Sequence, residues 1–220
     1  QASLGRLYEY ANGVHQDFAE AMHWYGLAAD QPDDAGHFNF GSLSAQVSLG
    51  SMYQYGEGAP TNYAEAMRWY RRAADREAAA LAAEQRGDAS QYVTPPDVYI
   101  AMAQDGIGDL LNYGGYGVSQ NDAEALHWYR MAANHGNSGA QYQLARFYHD
   151  GRAVTADNAE AMRWARMSAD QGDGNGQWYV GWLYENGAGV TQDYAEALRW
   201  YSKSADQGNA YGDNAIGTLY

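Results

Sequence analysis

Apolar and small residues recur along this 220-residue chain at helical spacing, not at the alternation of a strand. One phrase runs Leu4-Gly5, Leu7, Tyr8 and returns as Leu49-Gly50, Met52, Tyr53, then as Ile107-Gly108, Leu110, Leu111. It continues as Leu144-Ala145, Phe147, Tyr148, as Val180-Gly181, Leu183, Tyr184, and as Ile216-Gly217, Leu219, Tyr220. In three copies a small residue lies four positions earlier: Ala45, Ala140 and Gly176. Positions i, i+4, i+7 and i+8 share one face of a helix, so each phrase predicts a helix with one apolar stripe, here called helix A.

A second phrase follows each of the first five. Its tryptophans are Trp24, Trp69, Trp128, Trp164 and Trp200, each preceded by Ala-Glu-Ala-(Met or Leu)-(His or Arg). The gaps between them are 45, 59, 36 and 36 residues, which fits a 36-residue repeat carrying insertions of 9 and 23 residues. Asp or Asn stands three residues before Glu in every copy (Asp17, Asn62, Asn121, Asp157, Asp193), a capping-box pattern that opens helix B. Its buried stripe is expected at Ala21, Trp24, Ala28 and their equivalents, with all five tryptophans in the core. Glycine-rich turns (Gly56 to Gly58, Gly114 to Gly117, Gly187 to Gly189) join the two helices, and Gly136, Gly172 and Gly208 end helix B.

Each repeat is therefore an antiparallel helix pair too small to bury its own apolar face, and stacking neighbours solves that. The combined motif resembles the Sel-one-like repeat, a relative of the tetratricopeptide repeat. The motif runs Ala, Leu-Gly four residues later, Tyr, Gly-x-Gly, Val, Asp, Ala-x-x-Trp-Tyr and Ala-Ala-x-x-Gly; Gly176 to Gly208 carries nearly all of it. The resemblance covers roughly 170 residues and implies an all-α fold, a right-handed α-solenoid of stacked antiparallel helix pairs. Residues 1–220 are expected to form a single solenoid domain. Its repeats fall near 1–32, 45–76, 103–136, 140–172 and 176–208, with a half repeat at 212–220 and insertions at 33–44 and 76–98. The second insertion is expected to prolong helix B through Glu77 to Gln85, loop to Thr94 and start a new helix A at Asp97. Neither end carries a polar capping helix, so the expectation is a fragment or a last stripe covered by a partner chain.

Composition narrows the functional classes. Lys plus Arg number 13 against 27 Asp plus Glu, a net charge of −14, which argues against nucleic acid as a partner. No apolar run approaches the ~18 residues of a membrane span. Cysteine is absent, removing thiolate metal sites and cysteine nucleophiles. Lys203 is the single lysine; a genomic bias toward arginine accounts for that without any function. No histidine pair among His15, His23, His37, His127, His135 and His149 has the helical spacing of a zinc site. His23 and His127 share a slot filled elsewhere by Arg68, Arg163 and Arg199, read as solvent-facing. The acidic Asp173 loop cannot be an EF-hand, because Gln171 and Trp182 occupy ligand positions; Asp30, Asp33 and Asp34 leave a loop cation site open. The glutamates that repeat (Glu20, Glu65, Glu124, Glu160, Glu196) hold one capping slot, which is a structural duty. No catalytic residue, cofactor or metal is expected.

Function must then reside in what the repeat does not explain. The resemblance implies that helix A lines a concave face. Its outward slots hold Tyr10, Tyr55, Tyr113, Tyr142, Arg146, His149, Trp178, Trp182 and Glu185, a Tyr/Trp/Arg composition typical of binding hot spots. Trp178 and Trp182, four apart, share a helical face, although a wider gap between helices would explain them equally. The expected function is a non-enzymatic interaction scaffold or adaptor holding a peptide, protein segment or partner subunit. The alternative is a permanent accessory subunit of a larger, membrane-associated bacterial complex. A glycan-binding or hydrolytic protein ranks last. Since many bacterial proteins with this repeat are exported, a periplasmic or secreted location is favoured over a cytoplasmic one.

Overall fold

The computed structural model describes residues 1–33, 38–87 and 95–219. The chain divides into two compact units, Gln1–Asn121 and Asp122–Tyr220. The first contains α1 (Ala2–Glu9), α2 (Phe18–Ala29), α3 (Phe40–Tyr55), α4 (Tyr63–Ala74), α5 (Glu77–Gln85) and α6 (Pro96–Tyr113). The second contains α7 (Asp122–Asn134), α8 (Ser138–Asp150), α9 (Asn158–Asp170), α10 (Gly174–Asn186), α11 (Tyr194–Ala205) and α12 (Ala210–Leu219). Helices A are α1, α3, α6, α8, α10 and α12; helices B are α2, α4, α7, α9 and α11. Within each unit consecutive helices pack as pairs, and each pair packs on the next.

The closest approach within a pair is a glycine of helix A against a tyrosine ring of helix B. A Cβ added at Gly5 would stand 2.7 Å from the Tyr25 ring, at Gly50 2.5 Å from Tyr70, and at Gly181 2.6 Å from Tyr201. No side chain fits such a gap, so glycine is required by contact, not by backbone angle. The fourth repeat makes the exchange at both positions. It has Ala145 in place of glycine and Ala165 in place of tyrosine, both fully buried. The most deeply buried ring of helix B is the tyrosine, with Tyr25, Tyr129 and Tyr201 at most 1% exposed; the preceding tryptophan is also buried, as expected, in three of the five repeats.

The tryptophans sit at the edge of that core. Trp69, Trp164 and Trp200 are 6–8% exposed, whereas Trp24 and Trp128 are only half-buried. The difference follows the neighbouring side chains. Arg68 lies 4.5 Å from the centre of the Trp69 ring, Arg163 4.4 Å from Trp164 and Lys203 3.9 Å from Trp200. Each cation covers an indole face. His23 and His127 approach their tryptophans edge-on and leave the faces more open. At Arg68 and Arg163 the slot expected to point at solvent therefore doubles as a lid on the core; in the fifth repeat Lys203, three residues after the tryptophan, takes that place.

Half of the capping box forms. Asp17, Asp157 and Asp193 each accept from two first-turn amides of helix B, and Asn62 from one. The glutamate does not reach back. The cap residue's own amide is already taken by helix A, as in Asp157 N to Tyr148 O at 2.8 Å and Asp193 N to Tyr184 O at 3.0 Å. The freed carboxylates pair with arginine one turn on: Glu65 with Arg68, Glu160 with Arg163, Glu196 with Arg199. These exposed pairs add little stability.

Successive repeats are joined by a buried glutamine in helix A, three residues before its Leu-type position. Gln46 donates to Ala29 O at 3.1 Å, Gln141 to Ala133 O at 3.2 Å and Gln177 to Ala169 O at 3.4 Å. Each reaches a carbonyl at the end of the preceding helix B as an added donor: Ala133 O and Ala169 O also accept the amides of Gly136 and Gly172, and Ala29 O the hydroxyl of Ser42. In the third repeat Gln104 meets Glu77 Oε2 at 3.0 Å instead, because α5 intervenes.

Helix α5 corrects the expectation of a prolonged helix B. α4 ends at Ala74, where the amides of Asp75 and Arg76 turn back to the carbonyls of Arg71 and Ala73. Arg76 is drawn to Asp33 and lies over the Phe38 ring at 4.3 Å. A new helix begins at Glu77. The loop expected up to Thr94 falls largely outside the described residues, and α6 starts at Pro96, one residue before the expected Asp97. Much of the first insertion is ordered: Phe38 and Phe40 pack edge-to-face at 5.0 Å, and α3 begins at Phe40. Asp30 pairs with Arg72 at 2.7 Å, so it and Asp33 serve arginines and not a loop cation; Asp34 and His37 lie outside the described residues.

The glycine–tyrosine contact makes a measurable prediction. Gly181→Ala should destabilise the chain by about 1–3 kcal/mol through overpacking, and Tyr201→Ala by about 3–5 kcal/mol through the cavity it leaves. The double variant, which copies the fourth repeat, should lose less than the sum of the two. Additive losses in a urea-denaturation cycle would mean the two positions do not press on each other.

Candidate partner-binding surface

The tyrosine of each pair also governs the outer end of helix A. Tyr25 donates its hydroxyl hydrogen to Glu9 Oε2 at 2.5 Å, Tyr70 to Gln54 Oε1 at 2.8 Å, and Tyr201 to Glu185 Oε2 at 2.5 Å. Glu185, one of the expected partner-facing residues, thus already serves as the acceptor of a core hydroxyl. Burial, and then the hydrogen bond to the carboxylate, raise the hydroxyl pKa of Tyr25 and Tyr201 well above its ordinary value. The fourth repeat has Ala165 and no such hydroxyl. Its equivalent slot, His149, is released from that duty and turns to other neighbours.

Those neighbours form an aromatic array on α8, α10 and α12. The His149 ring stands edge-on to Trp182 at 4.9 Å, and its Nδ1 is hydrogen-bonded to Asn158 Oδ1 at 2.8 Å. Trp182 lies parallel to Tyr179, 5.6 Å between centres and 5° between planes. Tyr142 meets Tyr179 edge-to-face at 5.8 Å, and Arg146 sits 5.7 Å from the Tyr142 ring. On the far side Trp178 touches Tyr179 at 5.9 Å and Tyr211 at 5.1 Å. Such offset and edge-on geometries are the favoured ones for aromatic pairs. Burial raises the Tyr179 hydroxyl pKa; the Asp150 charge adds to this and Arg146 opposes it.

The array is neither core nor free surface. Tyr142, Arg146, His149, Trp178 and Trp182 are half-buried, Tyr179 is buried, and Tyr211 is 59% exposed. Tyr179 and Tyr211 escaped the sequence reading. A signal existed: the slot of Tyr179 holds Ser3, Ser48, Gly106 and Gln143 in other repeats, so a tyrosine there is an exception to the repeat.

In the first unit the expected residues are arranged differently. Tyr10, Tyr55 and Tyr113 close the ends of α1, α3 and α6 and are 60%, 65% and 61% exposed. Tyr10 borders a cleft of about 170 Å³ that Arg6, Glu9, Ser51 and Met102 also line. Burial raises the Tyr55 hydroxyl pKa and the charges of Asp109 and Asp105 reinforce the shift, so its surroundings are acidic.

These repeats identify the protein's class. A family model described as the Sel1 repeat matches residues 1–33, 43–77, 101–137, 138–173 and 174–209, and the chain belongs to that family. Over its whole length it is similar to the crystal structure of a Sel1 repeat protein from Oxalobacter formigenes, with 32% identity, 74% of that chain covered and a TM-score of 0.77. It is also similar to c5321, described as a protective antigen present in uropathogenic Escherichia coli strains and displaying an SLR fold. That match has 30% identity, covers 99% of this chain and 48% of that one, and has a TM-score of 0.49. No curated protein matches. The Sel1 repeat fold is generally a protein–protein interaction scaffold, and the family is typically non-catalytic. Among the described residues no helix is long and apolar enough to cross a membrane.

The raised tyrosines fix a pH dependence. Below pH 10 the hydroxyls stay protonated whether the chain is folded or not, so their contribution to stability is complete. Above the ordinary value of 10.0 the unfolded chain ionises first, and stability falls as pH climbs toward the raised values. Tyr201→Phe should make the decline in urea midpoint between pH 9 and 11 shallower; an unchanged slope would mean Tyr201 ionises as freely in the fold as in water.

Proposed function

We propose that the face formed by α8, α10 and α12 holds an extended protein segment, and that the chain works as a non-enzymatic adaptor. One observation carries this reading. Five aromatic rings, a histidine and an arginine converge at helix A slots that other repeats fill mostly with small or polar residues. They are packed against one another around the buried Tyr179, and the others are left partly open. Pre-packed aromatic rings supply large contact area at low entropic cost, and Tyr, Trp and Arg dominate interface hot spots. Tyr10, Tyr55 and Tyr113 extend the same role to the helix A face of the first unit.

Peptides selected against the protein from a random display library test this. Tyr211→Ala and Arg146→Ala should each weaken the selected peptides about tenfold or more, the scale of a hot-spot truncation. Both should leave the melting temperature nearly unchanged. Trp182→Phe should retain most of the binding, because the stack on Tyr179 survives. Peptide binding indifferent to all three variants would overturn the proposal, as would capture of oligosaccharides, and not peptides, by this face.

A further inference from the structure

On the helix B side of the second unit, α9 and α11 enclose an open cleft of about 510 Å³. Its floor is Trp200 with Leu198, and its charged lining is Arg166, Arg199 and Lys203 against one acid, Glu196. Such a surplus of cations is unexpected in a chain of net charge −14. Arg199 is neutralised by Glu196 at 2.5 Å. Arg166 and Lys203 are not: among the described residues neither has a carboxylate partner. Arg166 donates to the neutral Tyr184 hydroxyl at 2.5 Å and sits 5.3 Å from the Trp200 ring, and Lys203 sits 3.9 Å from the same ring. Two uncompensated cations thus flank one indole.

The equivalent place in the first unit is built the other way. There Arg72 and Arg68 flank Trp69, but Arg72 is paired with Asp30 and Arg68 with Glu65. A cation over the indole thus recurs in three repeats, at Trp69, Trp164 and Trp200, while the supply of a carboxylate to it is a local matter. In the second unit two of the three cations await one.

We infer that this cleft is a second docking site, which takes an acidic segment of a partner protein with Asp or Glu side chains beside an apolar one. The carboxylates would pair with Arg166 and Lys203, and the apolar side chain would lie on Trp200 and Leu198. Charge complementarity selects this occupant, because a basic segment would meet two unpaired cations and a neutral one would leave them as they are. The surface is distinct from the aromatic face of α8, α10 and α12 and does not depend on it. Its volume suits a few residues, Lys203 is exposed and Arg166 half-buried, so the affinity is modest, of a transient contact. The protein's long-range field slows the approach of an acidic partner but is largely screened beyond about 8–10 Å in physiological salt, so the contact forms at short range.

A fluorescein-labelled peptide alternating Glu and Leu, with Gln/Leu and Lys/Leu counterparts, provides the probe. By anisotropy the Glu/Leu peptide should bind at least about tenfold more tightly than either counterpart. Lys203→Glu should abolish the preference, and Lys203→Gln should reduce it. Lys203 is exposed and, among the described residues, makes no hydrogen bond to another helix, so the fold should survive both changes, which circular dichroism verifies; Tyr211→Ala should have no effect. Equal binding of Glu/Leu and Gln/Leu peptides, or indifference to Lys203→Glu, would overturn the inference. So would self-association of the protein that Lys203→Glu dissolves, since the occupant would then be a second copy of the chain.

Discussion

The structure depends on one steric constraint: a tyrosine ring of helix B lies flat against a helix A position that has no side chain. Gly5, Gly50 and Gly181 leave room for Tyr25, Tyr70 and Tyr201, and a single added carbon would collide with each ring. That contact sets how near the helices of a pair approach. It also places a hydroxyl in a largely apolar setting, where an unmade hydrogen bond is costly. Glu9, Gln54 and Glu185 at the end of helix A answer that need. A packing decision in one helix thus fixes a polar residue in the other.

The same logic links one repeat to the next. A buried glutamine of the following helix A donates to a carbonyl at the end of helix B at Gln46, Gln141 and Gln177. A glutamine sealed in a core would be a liability without that partner, and with it the amide fixes the stagger of neighbouring pairs. Where α5 separates the second and third repeats, Gln104 takes a side-chain carboxylate of α5 in place of the missing main-chain acceptor.

Departures from the repeat are where the two proposed docking surfaces lie. Replacing the glycine–tyrosine couple by Ala145 and Ala165 removes the hydroxyl that elsewhere occupies the end of helix A. His149 can then face Trp182 and join the aromatic array. Glu185 shows the converse: it looked like a surface residue open to a partner, but the core of its own repeat employs it. The proposed cationic cleft over Trp200 follows the same pattern, since a cation over the indole recurs in three repeats and the missing carboxylate is particular to that place.

The recurrence of Leu-Gly and of Ala-x-x-Trp-Tyr, with Asp or Asn ahead of helix B, was enough to define helix pairs, their order and their family, because helical periodicity and capping are local properties. The split of α4 from α5 was not legible, since Glu77 to Gln85 is good helix material and only the turn at Asp75 and the pull of Asp33 on Arg76 interrupt it. Nor was the exchange of roles between Trp24 and Tyr25: adjacent residues on a helix differ by about 100°, and which of them faces the core depends on the glycine that the neighbouring helix presents. Tyr179 and Tyr211 were visible only as exceptions to a slot. Tyr179 and Trp182 are one turn apart on α10, but the meeting of Tyr211 with Trp178, and of Tyr142 and His149 with Tyr179 and Trp182, depends on the stacking of three helices, and a distance between side chains on different helices is written in no single segment of the chain.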